Sequence, residues 1–216
     1  VGITDYAPMD YQDDNGEWTG FDAEFARLFA DSLGITVEFV EIDWDNKFLE
    51  LKSGAIDCIW NGMTIGPDVL ANTACSDPYI NNSQVVVMKA DKADAYTTAE
   101  SMVDLKIAVE AGSAGQSAGE ENNFNLLEVT GQTDALMEVA SGSSDACIID
   151  ETMAKAMTGE GTSYANLKAV LTLTAEEYGV GFRVGSDMVE KLNAFMDANT
   201  DALKKLADKY DLSLAD

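Results

Sequence analysis

The stretch FDAEFARLFADSLGITVEFVEI, residues 21–42, carries two different periods back to back. Phe21, Phe25, Leu28, Phe29 and Leu33 recur at helical spacing, which gathers them on one face. Gly34 stands where a left-handed residue ends a helix. From Ile35 to Ile42 the period drops to two, with Val37 and Phe39 alternating against Thr36 and Glu38. That alternation predicts a half-buried strand over 35–42. Helix followed at once by strand is the repeating unit of an α/β fold.

Working outward, the unit recurs. Residues 1–4 read as a strand and 5–20 as turns. Asp45 is expected to cap a short helix holding Phe48, Leu49 and Leu51, stopped at Gly54, and 56–60 read as a short buried strand containing Trp60. Strands follow at 84–88, 105–109, 126–129, 146–149 and 178–184. Helices are expected after Gly112-Ser113, over 134–140, from Asp150 to about 157, over 187–198, and over 201–210 with Thr200 as cap. Glycines at 115 and 119 are expected to loosen the first of these. One strand–helix series ends near 83 and a second runs from about 104 to 157, bracketed by the β segments 84–88 and 178–184. Those two segments suit crossovers between two lobes.

Composition narrows the function. Of 216 residues, 39 are acidic and 13 basic, for a net charge of −26. Such a surface repels phosphate backbones, so nucleic acid is excluded as a partner, while solubility and a weak bias toward cationic solutes follow. Histidine is absent, which removes the commonest metal ligand and the usual general base near neutral pH. Cys58, Cys75 and Cys147 sit in apolar runs at no metal or redox spacing, so no metal or other cofactor is expected. They read as small buried hydrophobes, with a Cys58–Cys75 bridge as the alternative in a secreted chain. No apolar run reaches membrane-spanning length. The chain opens directly in a strand, without a signal peptide, as a mature or trimmed protein would.

Seven blocks resemble, in order, the bacterial extracellular solute-binding proteins for polar amino acids. They are Gly20-Phe21-Asp22-Ala23-Glu24-Phe25, Asp43-Trp44-Asp45 with Leu49 to Asp57, Gly62-Met63-Thr64-Ile65, Cys75-Ser76-Asp77-Pro78-Tyr79, Ala111-Gly112-Ser113, Asp145 to Asp150, and Tyr178-Gly179-Val180-Gly181-Phe182. The resemblance implies a type II periplasmic-binding fold, α/β, with two Rossmann-like lobes joined by two crossover strands. Lobe 1 would hold 1–84 and 183–216, and lobe 2 would hold 85–182. It implies a non-enzymatic, extracytoplasmic protein, periplasmic or lipid-anchored. Such a protein closes by hinge bending around an amino acid or related amine and hands it, as a monomer, to the permease of an ABC importer.

By the same resemblance, Asn61, Gly62, the Met63 and Thr64 amides and the Thr64 hydroxyl lie on the ligand, as does the Gly112–Ser113–Ala114 loop. Helix N-termini and strand ends attract anionic atoms there. Asp150 would hold the ligand's ammonium, the alternative being a plain helix cap. Tyr6 and Trp44 would pack rings on the ligand, with a core anchor as the alternative for Trp44. Trp60 suits the core or the cleft floor. One departure stands out: Val69 occupies the place of the arginine that clamps the ligand carboxylate, and the nearest cations are Lys52 and Lys89. Either the ligand lacks that carboxylate or the site is altered. Asp5, Asp10, Asp150 and Glu151 would then favour a cation. Two other classes fit the same fold: a ligand-sensing or engineered binding module, and a dehydratase-like enzyme using Asp150 or Glu151 as acid or base.

Overall fold

Strand β1 (Gly2–Ile3) opens the chain with Ile3 fully buried, and β2 (Tyr11–Gln12) pairs with β3 (Trp18–Thr19) in a hairpin. The helical period is realised as α1 (Phe21–Leu33), whose Phe21, Phe25 and Phe29 are buried, and Gly34 ends it at φ 68°. The strand expected over 35–42 shrinks to β4 (Val40–Glu41). Among the described residues its only partner is the two-residue β1, through Gly2↔Val40 and Ile3↔Glu41, and an edge strand extends no further than its partner. Asp45 caps nothing: it lies in a 3-10 turn, and α2 (Lys47–Ser53) begins after Asn46. The strand expected to stop at Trp60 continues as β5 (Cys58–Thr64). Short α3 (Pro67–Asn72), unforeseen from the sequence, and β6 (Ala74–Cys75) follow.

Strand β7 (Ile80–Lys89) leads into β8 (Lys106–Glu110), α4 (Ala114–Glu121), β9 (Asn125–Val129), α5 (Gln132–Ser141), β10 (Ala146–Asp150) and α6 (Glu151–Met157). Strand β11 (Leu167–Phe182) is much longer than the segment expected at 178–184. Helices α7 (Met188–Ala198) and α8 (Thr200–Lys209) close the chain. Thr200 is the first residue of α8 rather than its cap, and its hydroxyl turns back to the carbonyls of Met196 and Asp197.

This computed structural model describes residues 1–215 and divides into two compact units, Val1–Asn81 with Glu177–Asp216, and Asn82–Glu176. Strands β7 and β11 each run from one unit into the other. The first unit's strands are ordered β4-β1-β5-β11, parallel up to β5, with β11 antiparallel and β6 on its far edge. The second unit's are ordered β7-β10-β8-β9, with β7 antiparallel and the rest parallel. The α/β class with two sheet-and-helix halves and two crossing strands is therefore the observed one.

All three thiols are free. Cys58 and Cys75 flank opposite edges of β11, opposite Phe182 and Gly181 respectively. Two strand spacings of about 4.8 Å each separate them, beyond the reach of a disulfide. Burial pushes both thiols up to about 11.

Each unit has its own core. In the second, Val86, Met88, Ile107, Val109 and Ile148 pack together with Met102 and Phe124. Gly115 and Gly119 do not loosen α4. A Cβ on Gly119 would stand 2.7 Å from Leu126 and 3.0 Å from Ile148, and one on Gly115 would stand 3.2 Å from the Ile148 carbonyl. The missing side chains let the helix lie directly on the sheet. Ile148→Ala should therefore cost roughly 2–5 kcal/mol, read as a lowered urea midpoint.

Candidate functional site

In the second unit, parallel strands β8 and β10 end in buried acids, Glu110 and Asp150. Asp150 faces Gln84 in the β10–β7 register, and Asn82 lies two residues earlier on the same face of β7. That spacing delivers both carboxamides to one carboxylate. Asp150 Oδ1 accepts from Asn82 Nδ2 at 2.5 Å and from Gln84 Nε2 at 2.9 Å. Asp150 Oδ2 accepts from Gln132 Nε2, and the Asp150 N–H donates to Gln132 Oε1 at 2.9 Å. The same Asn82 and Gln84 amides donate to Glu176 Oε1 at 2.6 and 2.8 Å. Asn82 Oδ1 in turn accepts from the Thr152 N–H at 3.3 Å.

Two carboxylates are thus bridged by the same carboxamide donors, which fix their geometry. Asp150 occupies the cap position of α6 yet makes no side-chain cap bond, so the plain-cap alternative does not describe it. What such a group does best is grip a cationic nitrogen through a charge-assisted bond. The loop before α4 is ordered by Gln116: the Gly112 N–H donates to its Oε1 at 2.8 Å, and its own N–H donates to the Ser113 hydroxyl at 3.1 Å. Ser113 is thereby the cap of α4 and Ala114 its first residue.

In the first unit, the expected residues of β5 have distinct fates. Asn61 ties the end of β1 to β5, its Oδ1 accepting from the Thr4 N–H at 2.8 Å and its Nδ2 donating to the Thr4 hydroxyl at 2.7 Å. Its amide is committed to the sheet. Gly62 has φ 56°, and a Cβ there would stand 2.5 Å from the Tyr6 ring and 3.1 Å from Tyr178. Both reasons demand glycine. Its N–H donates to Asp22 Oδ2 at 2.6 Å, and the Tyr79 hydroxyl donates to the same oxygen at 2.8 Å. Tyr6 is buried, with its hydroxyl 2.5 Å from that of Tyr178.

Met63, Trp44 and Val69 share one apolar cluster with Leu51, Ile56 and Ile59. Val69 is a core residue on α3, and half-buried Thr64 faces Tyr178. Trp60 meets Phe25 edge to face at 4.8 Å, a core position. Lys47 stands beside Trp44, its Nζ donating to the Trp44 carbonyl at 3.2 Å.

Two acids expected to favour a cation have other employment. Glu151 pairs with Lys155 at 3.1 Å along α6. Asp10 is fully buried, and burial, followed by the nearby Asp22 charge, pushes its carboxyl well above the usual range against the pull of Arg27. Burial pushes Asp22 up to about 7, against the hydrogen bonds from Gly62 and Tyr79. Sequence reasoning missed Asn82, Gln84, Gln132, Glu110 and Glu176. The visible signal was Asn82 and Gln84 at period two, just ahead of the apolar run 85–88.

The model of the bacterial extracellular solute-binding proteins, family 3, matches residues 1–213. The chain belongs to that family and is a solute-binding protein. It is 28% identical to the arginine-binding extracellular protein ArtP of Bacillus subtilis (strain 168), over 96% of this chain and 80% of that one. Among solved structures it is similar to an ancestral amino acid-binding protein, a precursor of cyclohexadienyl dehydratase, at TM-score 0.88 and 31% identity over 97% and 93% of the two chains. It is also similar to an ABC uptake transporter substrate-binding protein of Streptococcus pneumoniae with bound histidine, at TM-score 0.87 and 28% identity over 97% and 90%. The relatives are binding proteins, and the dehydratase-like alternative is not favoured. Among the described residues no helix is long and apolar enough to cross a membrane.

Asp22 keeps its proton to about pH 7 in the folded chain and loses it near 3.9 when unfolded. Folding takes up a proton between those values, so this contribution to stability falls as pH rises through the window and is level above it. Measured from pH 4.5 to 8, the urea midpoint of wild type should fall relative to that of Asp22→Asn as pH rises toward 7 and hold level above it; two parallel curves would refute it. Asn61→Ala, which leaves the Thr4 N–H without its acceptor and the Thr4 hydroxyl without its donor, should cost about 1–3 kcal/mol by the same assay.

Proposed function

We propose that this protein captures an amino acid or related small amine outside the cytoplasm and delivers it to the membrane permease of an ABC importer. The observation that carries this reading is the Asp150 carboxylate, buried and held by the Asn82, Gln84 and Gln132 carboxamides at the end of β10. A carboxylate fixed in this way presents its oxygens in set directions to a ligand ammonium. Glu176, joined through the same amides, and Glu110, at the end of the next strand, add negative potential around it. Supporting partners are the Gly112–Ser113–Ala114 loop in the second unit and Tyr6, Trp44, Gly62, Met63 and Thr64 in the first. Val69, being apolar, adds shape and no charge. Two relatives, an arginine-binding protein and a protein with bound histidine, take ligands of the same class of amine-bearing solutes. In this reading bending of β7 and β11 commits the bound ligand, and the protein acts as a monomer.

Isothermal titration against the common L-amino acids, small amines and polyamines should identify a ligand carrying at least one protonated nitrogen. Asp150→Asn should then weaken it by roughly 30-fold or more, since truncating a buried charge pair costs about 2–5 kcal/mol. Unchanged affinity in Asp150→Asn, or a ligand without a cationic nitrogen, defeats the reading.

A further inference from the structure

A cavity of about 330 Å³ lies in the first unit, lined by residues of α2, of α3 and of the chain just after β11. Phe48, Leu51 and Val184 supply its apolar lining, and Lys52, Asn72 and Arg183 its polar lining. The volume falls at the lower end of the range for small-molecule sites, about 300–1,000 Å³. Arg183 follows Phe182, which pairs with Cys58 at the start of β5, whereas Thr64 stands at the other end of that strand. The strand rises about 3.3 Å per residue, so roughly 20 Å separate its two ends. The cavity is therefore distinct from the candidate ligand residues around Gly62 and Thr64.

Its charge is the reverse of the chain's. Acids outnumber bases 39 to 13 overall, yet among the described residues lining the cavity two are cations and none is an acid. Arg183 is held in place: its Nη1 donates to the Ile56 carbonyl at 2.6 Å and its Nη2 to Asp57 Oδ1 at 2.6 Å. The Asp57 side chain is 86% exposed, so water and salt screen this pair, and a guanidinium has further N–H donors to offer. Lys52 is exposed in the last turn of α2, and among the described residues its ammonium has no ion-pair partner. Elsewhere a net charge of −26 repels anions. Two cations beside an apolar floor complement a carboxylate on an apolar body: the cations take the oxygens by charge-assisted bonds, and a ring covers Phe48, Leu51 and Val184. We propose that this cavity is a second binding site, for a small carboxylate carrying an apolar body of about one ring. It stands independently of the amine reading built on Asp150.

The probe is phenylacetate, with phenylacetamide as its neutral counterpart of the same shape, each titrated into the full chain and followed by heteronuclear NMR. Phenylacetate should bind at least about ten-fold more tightly than the amide, the worth of one hydrogen bond to a charged group. Its resonance shifts should gather at Phe48, Ala71 and Val184. Lys52→Gln should bring the acid-to-amide ratio to within about three-fold, and so should salt at about 1 M, where charges more than about 3 Å apart are screened. Val184→Asp, which sets an acid on the exposed rim, should weaken phenylacetate by about ten-fold or more. Both substitutions are at exposed positions, and thermal melts verify that the variants are folded. No binding of phenylacetate at about 10 mM overturns the proposal, since a ligand with a Kd of about 1 mM is then nearly saturated. Equal binding of acid and amide overturns it too, as does a Lys52→Gln protein that keeps the ratio, or shifts that gather at Gly62, Thr64 or Gly112 instead. None of these outcomes touches the amine titration, which reads Asp150.

Discussion

A carboxylate taken out of water must be given donors, and Asp150 is given three carboxamide side chains. This one requirement organises the second unit. Asn82 and Gln84 must share a face of β7, β7 must run antiparallel to β10 with Gln84 opposite Asp150, and Gln132 must open α5 beside them. Carboxamides satisfy oxygen lone pairs while leaving the net charge in place. The price is paid in uniqueness of register, because a one-residue slip of β7 would turn both amides away.

The first unit uses the same chemistry for support. Asp22, from the head of α1, receives the Gly62 N–H and the Tyr79 hydroxyl, and so pins β5 where it passes the Tyr6 ring. Asn61 does the corresponding work one residue earlier, toward Thr4. Residues that resemble ligand contacts in a motif are here divided between those that face the candidate site and those that hold its frame. Motif membership alone does not separate the two, since both are needed to place the same backbone.

Much of the architecture was legible. Periodicity located α1, and Gly34 and Gly54 marked helix ends where the chain does turn left-handed. The errors cluster where a neighbour decides. Residues 35–39 alternate properly but have no strand to pair with among the described residues, whereas β5 outruns its apolar signal because β11 supplies its partner, Tyr178 against Thr64. Asp10 was misread for a similar reason: a carboxyl near the start of a turn-rich stretch looks solvent-exposed until α1 covers it. Lys47 went unremarked because a lysine in a polar run carries no sign that it is buried.

By itself, the sequence determined the α/β class, the order of helices and strands and the family. These depend on local period, on turn residues and on the order of short motifs along the chain. Only the tertiary structure decided which charges are buried and who holds them. Asn82 and Asp150 are 68 residues apart, and Glu176 lies 94 residues from Asn82. No local pattern encodes such meetings, because they follow from strand register and from which face of each element the fold turns inward.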